Sequence, residues 1–199
     1  MQELPEGNEE DIRPHDTVAL LIHCRNNVLV SWNKKHSMLT LPVGKVRENE
    51  SLVDACAREM KEELGVTLQD TGHPEAKFVH VTNFTAEYEF AHEGKAITVP
   101  IHTYVFAISF GDFMNEFANG NPNMSGMVAK IHNNEKDKCG GLFWATMKDI
   151  TTLVDTFKWR FADCLQKGLV AMAKLSSYAV DAKTRANQKL PELNQEKEN

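Results

Sequence analysis

Three carboxylates, Glu59, Glu62 and Glu63, sit close together in a segment that also carries Arg58 and ends Leu64-Gly65-Val66. On a helix, at about 100° per residue, the three project within an arc of roughly 100°. Oxygen donors at that density suit a hard divalent cation such as Mg²⁺, whose usual second partner is a substrate phosphate. Like charges at i,i+4, the spacing of Glu59 and Glu63, cost a helix about 0.2–0.5 kcal/mol. A bound cation turns that repulsion into coordination. A solvated acidic face is the ordinary meaning of clustered Glu on a helix, and Glu62-Glu63 alone would say no more than that.

The residues around the cluster define the elements that must position it. Ser51 predicts an N-cap with Asp54 as its acidic partner, and Gly65 predicts the stop after Leu64. Val53, Cys56, Ala57, Met60 and Leu64 form the expected buried face. Upstream, the apolar run Thr17 to Cys24, a turn at Asn26-Asn27 and the run Val28 to Trp32 read as a hairpin. Leu39 to Val43 reads as a third strand leading into a loop that carries Gly44. Downstream, Phe78 to Phe90 and Ala96 to Ile108 read as paired strands about a turn at His92 to Lys95. Pro100 marks an edge or a bulge in the second of them. Leu142 to Ala145 resumes a strand, Met147 to Leu153 turns toward helix, and Trp159 to Tyr178 carries apolar residues at near-helical spacing. Strands, helix, strands and a closing helix predict an α/β layered domain.

The chain is expected to hold one such domain over residues 17–180, with a flexible arm at 1–16, an inserted loop at about 111–141 and a flexible tail at 181–199. The insertion is rich in Asn, Gly, Met and Lys, a type of loop that is often functional. At 42% hydrophobic and 25% charged, the 199-residue chain has an ordinary globular composition. Its net charge of −6 argues against binding nucleic acid or a membrane through charge alone. Cys24, Cys56, Cys139 and Cys164 are scattered without a CxxC pair, which predicts reduced thiols and a cytoplasmic location. No secretory leader or span-length apolar stretch is read from the sequence. The eight histidines form no ligand-spaced cluster.

The run from Gly44 to Val66 resembles the signature of the Nudix hydrolase family. That signature reads Gly, five residues, Glu, seven residues, Arg-Glu, an apolar residue, any residue, Glu-Glu, any residue, Gly, apolar. Gly44, Glu50, Arg58, Glu59, Glu62, Glu63 and Gly65 meet every fixed position, with Met60 and Val66 at the apolar ones. Seven specified letters, each at a background of roughly 6%, coincide by chance on the order of 10⁻⁹ times per starting position.

The resemblance implies a mixed β-sheet sandwiched between α-helices. It also implies hydrolysis of a nucleoside diphosphate linked to another moiety, by water attack at phosphorus with Mg²⁺ or Mn²⁺. Carried over by position, Glu59 and Glu63 would be principal metal ligands, Glu62 a further one, and Gly44 a carbonyl donor. Arg58 would hold a carboxylate, most plausibly Glu50, in a bidentate pair that keeps loop against helix. Lys45 and Arg47 on the loop are candidates for phosphate contact, with a solvated role as the alternative. A general base outside the motif is common in the family; Glu135 in the insertion is the first candidate, with Glu116 and Glu89 behind it. Trp32, Phe84 and Tyr88 are candidates to stack a base, and each is also an ordinary core aromatic.

The family loop usually carries two glycines after proline, and this chain has Pro42-Val43-Gly44. Val43 lacks glycine's conformational freedom, so substrate approach is where a difference is expected. The proline found downstream of the motif in ADP-ribose-cleaving members is absent around His80 to Thr82, and so is the tyrosine associated with dinucleoside polyphosphate cleavage. Two other readings stand beside the hydrolase: a non-catalytic module that binds a nucleotide as sensor or scaffold, and an isomerase of isoprenoid diphosphates. Such modules typically lose carboxylates that are intact here, and no cysteine is placed with the motif for the isomerase. The expected partner is a small nucleotide substrate. The sequence leaves the oligomeric state open, a homodimer included.

Overall fold

The computed structural model describes residues 4, 6–9, 11–24, 27–34, 36–67, 77–109, 139–146, 148–150, 152 and 160–174. The strands are β1 (His15–Cys24), β2 (Asn27–Asn33), β3 (Met38–Thr40), β4 (Val43–Lys45), β5 (Val79–His92), β6 (Lys95–Ser109), β7 (Cys139–Thr146) and β8 (Arg160–Phe161). One long helix, α1 (Leu52–Leu64), follows β4, and residues 163–174 are helical. The strands form one mixed sheet in the order β5-β6-β1-β2-β3-β8, with β4 paired to β1 and β7 to β2. β1 runs parallel to β6 over nine residue pairs, from His15↔Ile101 to His23↔Ser109.

Alternation along β1 explains the layering. Val18, Leu20 and Ile22 point to one face, where they meet Met60 and Leu64 of α1. Ala19 and Leu21 point to the other, where they meet Leu165 and Leu169 of the helical residues 163–174. With a period of two, a strand apolar on both faces must be covered on both. The result is the expected α/β sandwich, with the sheet between helices. A third, smaller cluster joins Phe90, Val99 and Ile101 to Ile12 and Tyr88.

Several boundaries differ from the sequence reading, each for a physical reason. The described part of the expected loose arm is docked: Gly7 N donates to Ala91 O at 3.0 Å, and Ile12 packs in the third cluster. β1 begins at His15, where its ladder with β6 starts. The single strand expected over Leu39 to Val43 is split at Leu41-Pro42, so that β3 pairs β2 while β4 turns onto β1. Pro42 still contributes, its carbonyl accepting from Leu20 N at 2.8 Å. Pro100 lies opposite Glu87, one residue before the stretch of β6 that pairs with β1. It therefore sits at a local edge, and the irregularity falls instead on β5 between His80 and Thr82.

β7 starts at Cys139, inside the span read as an insertion, and Arg160–Phe161 is strand where a helix was expected. On α1 the buried face is rotated. Val53 is 50% exposed while Ala55, Cys56, Glu59, Met60 and Leu64 are buried. The rotation places Glu59 on the buried side, with its carboxylate against Gly44 of β4. Glu135 and Glu116, the candidate bases in the insertion, lie outside the described residues.

Candidate active site in the cleft beside the first helix

The first helix is built as its sequence dictates. Ser51 Oγ accepts from Asp54 N at 3.1 Å and donates to Asp54 Oδ2 at 2.6 Å. Gly65 closes the helix in the left-handed region at φ 67°, its N–H bonding to Lys61 O at 3.0 Å. These caps fix where the helix begins and ends, and hence which turn carries Arg58, Glu59, Glu62 and Glu63.

Arg58 organises what lies between helix and loop. Its Nε and Nη2 donate to the two oxygens of Glu50 at 2.7 and 2.8 Å, the bidentate pair that the motif implied. A further Nη2 bond reaches Lys45 O at 2.7 Å, while Nη1 donates to Glu59 and, at 3.0 Å, to Glu62. All five guanidinium donors are thus engaged. Glu50 also accepts from Arg47 N at 2.9 Å, across a turn in which Asn49 adopts φ 62°. Held chiefly by the Arg58 hydrogen bonds, the Glu50 carboxyl sits far below the usual range, at about 2.

Gly44 shows why the loop needs a glycine. A Cβ there would overlap the carboxylate of Glu59, so backbone and carboxylate touch with nothing between. Val43 presents no such problem. It lies in β4 paired with Ala19 and packs against the second apolar core, a strand conformation that any residue adopts.

The three motif carboxylates border a cleft of about 960 Å³, with Gly44, Lys45 and Arg47 on the same rim. Acidic side chains dominate its described lining: Glu6, Asp11, Glu59, Glu62, Glu63 and Glu93 against Lys45, Arg47 and Arg58. Each of those cations already holds a carboxylate. Lys45 Nζ lies 2.7 Å from Asp11, and Arg47 Nη2 lies 3.1 Å from Glu62. An anionic diphosphate entering such a cleft needs added positive charge. The donors that could hold it, carboxylates plus the Gly44 carbonyl, are all oxygen, and that set fits a hard cation such as Mg²⁺ or Mn²⁺. Among the described residues no group of three or more His, Cys, Asp or Glu is already gathered as a ligand set.

Two of the expected substrate contacts lie elsewhere. Phe84 packs in the second core, with Lys167 Nζ 4.0 Å from its ring centre. Tyr88 packs in the third cluster, where burial pushes its hydroxyl up to about 12. Both side chains follow the β5 alternation away from the cleft. Trp32 likewise packs against the second core, and Glu89 is exposed on β5 outside the cleft lining. The cleft instead recruits residues that carried no sequence signal: Asn8 and Asp11 from the N-terminal turn, Ser31 and Asn33 from β2, and His92 from the tip of the β5–β6 hairpin. They meet only through long-range pairing, as in the Asp11–Lys45 contact across 34 positions.

The chain matches the model of the NUDIX domain over residues 13–160. Among solved structures it is similar to the Caenorhabditis elegans Ap4A hydrolase in a binary complex, at 16% identity and TM-score 0.48, covering 84% of this chain and 98% of that one. It is also similar to a NUDIX hydrolase from Nitrosomonas europaea, at 16% identity and TM-score 0.44, covering 81% and 89%. A third is the bifunctional NMN adenylyltransferase/ADP ribose pyrophosphatase from Francisella tularensis, complexed with AMP and a Mn ion. There the identity is 15%, the TM-score 0.50 and the coverage 81% of this chain and 42% of that one. At these identities the likeness is one of fold alone. Among curated proteins, no sequence matches this chain.

Proposed function

The chain belongs to the NUDIX domain family, and on that premise we propose that it is a Mg²⁺- or Mn²⁺-dependent pyrophosphohydrolase of a nucleotide or nucleotide conjugate. Water attacks phosphorus and the diphosphate linkage breaks. The observation that carries this reading is the contact of the Gly44 backbone with the Glu59 carboxylate at the mouth of a cleft that Glu62 and Glu63 also border.

In this reading Glu59 and Glu63 would hold the cation, and Glu62 and the Gly44 carbonyl would complete the protein's share of the donors. Charge neutralisation of the diphosphate and polarisation of the attacking water are what a bound divalent cation supplies there. The chain's own residues do the rest. Arg58 holds Glu59 and Glu62 at the cleft and keeps the loop closed through Glu50 and Lys45 O. Lys45 and Arg47 also line the cleft, and in this reading they would meet a phosphate oxygen. Glu135 remains the first candidate for a base. Binding a nucleotide without cleaving it, as a sensor would, is the competing outcome.

The test is a screen of nucleoside diphosphate conjugates with Mg²⁺ and Mn²⁺, reading phosphate-containing products. Glu63→Gln removes charge and little volume, and it should lower turnover by two or more orders of magnitude while the melting temperature holds. Turnover of Glu63→Gln near the wild-type value in saturating Mg²⁺ would refute the ligand assignment. Tight binding with no product from any conjugate would favour the sensor.

As to setting, Cys24, Cys56 and Cys164 are buried, which accords with thiols kept in a reducing compartment. No helix among the described residues is long and apolar enough to cross a membrane.

A further inference from the structure

We propose that Asp11 is an internal competitor of the substrate phosphate for Lys45, so that the N-terminal turn sets how tightly the cleft takes a diphosphate. The proposal rests on reading the cleft as a pyrophosphohydrolase site. Asp11 and Lys45 both line that cleft, and their side chains meet at 2.7 Å with 23% and 37% of their surfaces exposed.

The two partners differ in freedom. Asp11 is anchored: Asn8 N donates to its Oδ2 at 3.3 Å, and its own N–H donates to Asn8 Oδ1 at 2.9 Å. The turn is tied in turn to the hairpin tip, where Gly7 N donates to Ala91 O at 3.0 Å and Gly7 O lies 3.2 Å from His92 Nδ1. Gly7 packs closely there, since a Cβ at this position would stand 3.0 Å from Ile12 and Phe90. Lys45 has a fixed backbone, its carbonyl held by Arg58 at 2.7 Å, but its ammonium rides on a flexible four-carbon stem. The cation is the part that moves.

Partly exposed ion pairs of this kind are weak, and a diphosphate oxygen set carries more negative charge than one carboxylate. The ammonium therefore transfers to phosphate when substrate arrives, and Asp11 stays in its turn. Until then the resting pair lowers apparent affinity by the fraction of molecules in which Lys45 is engaged. Removing the Asp11 charge should accordingly tighten binding, the opposite of what loss of a merely structural residue does.

The probe is α,β-methylene-ADP, a non-hydrolysable diphosphate, titrated calorimetrically into the full chain with Mg²⁺. Asn keeps an oxygen for the Asn8 N–H, so Asp11→Asn preserves the turn, which a thermal melt checks. Asp11→Asn should bind the probe about two- to fivefold tighter, the range a partly exposed pair can supply. Asp11→Glu should bind like the wild type, and Lys45→Met should bind more weakly. In the Lys45→Met background, adding Asp11→Asn should bring no further tightening. The proposal is overturned if Asp11→Asn binds no tighter than wild type, or if it tightens binding equally without Lys45. Either result, obtained with a wild type that binds the probe, leaves the pyrophosphohydrolase reading standing. A wild type that fails to bind with Mg²⁺ overturns both.

Discussion

Replacing Arg58 by Ala should cost about 3–5 kcal/mol of stability, because it strands carboxylates that were folded around a guanidinium. Two observations point to a loss of that kind. Arg58 and Glu50 have side chains only 15% and 13% exposed, so their pair is screened little by water. The Glu50 carboxyl is held at about 2 instead of its ordinary 4.5. For a chain of this size the loss should lower the melting temperature by roughly 6–20 °C.

The same pair sets a pH dependence. A carboxyl whose folded value is depressed stabilises fully above its unfolded value and loses that contribution as pH falls through the folded one. Wild-type stability should therefore fall between about pH 4.5 and pH 2 partly through Glu50. In Arg58→Ala that acid-dependent share should shrink, whereas Arg58→Lys, with a charge but no fork, should restore only part of it. Chemical denaturation at a series of pH values, run beside thermal melts, measures both. An Arg58→Ala protein that melts within about 2 °C of wild type, or shows the same acid slope, would refute the argument that Arg58 clamps the loop to the helix.

Gly44→Ala should abolish most pyrophosphohydrolase activity, since its methyl would displace the Glu59 carboxylate; a circular dichroism melt should show a smaller change than for Arg58→Ala. Met60→Ala, at a fully buried site, should cost about 2–5 kcal/mol, while Val53→Ser on the exposed face should stay within about 0.5 kcal/mol. Equal effects at Met60 and Val53 in denaturant titrations would mean that the helix face is misassigned. Burial pushes the Cys56 thiol up to about 12, and Cys24 and Cys164 are buried as well. At pH 8 a disulfide reagent should therefore titrate no more than one of the four cysteines quickly in the native protein, and all four in denaturant.

What the sequence determined by itself was local. The cap at Ser51, the stop at Gly65 and the pairing of Arg58 with Glu50 involve residues within one loop–helix segment, where spacing converts directly into geometry. Strand existence was legible too, because apolar runs of strand length on both sides of α1 can only be buried in a sheet covered on two faces. Tertiary structure decided the remainder. Whether Phe84 and Tyr88 face the cleft or the cores depends on the β5 register, which is irregular between His80 and Thr82. A one-residue slip of that kind exchanges the two faces of a strand, and no local pattern announces it. The rotation of α1 that buries Ala55 and exposes Val53 follows from where β4 brings Gly44, a contact set by its pairing with β1. The N-terminal turn, within the stretch read as a flexible arm, became a wall of the cleft because Gly7 meets Ala91 and Asp11 meets Lys45 across the fold. Those partners are distant in sequence, and only the folded sheet brings them within reach.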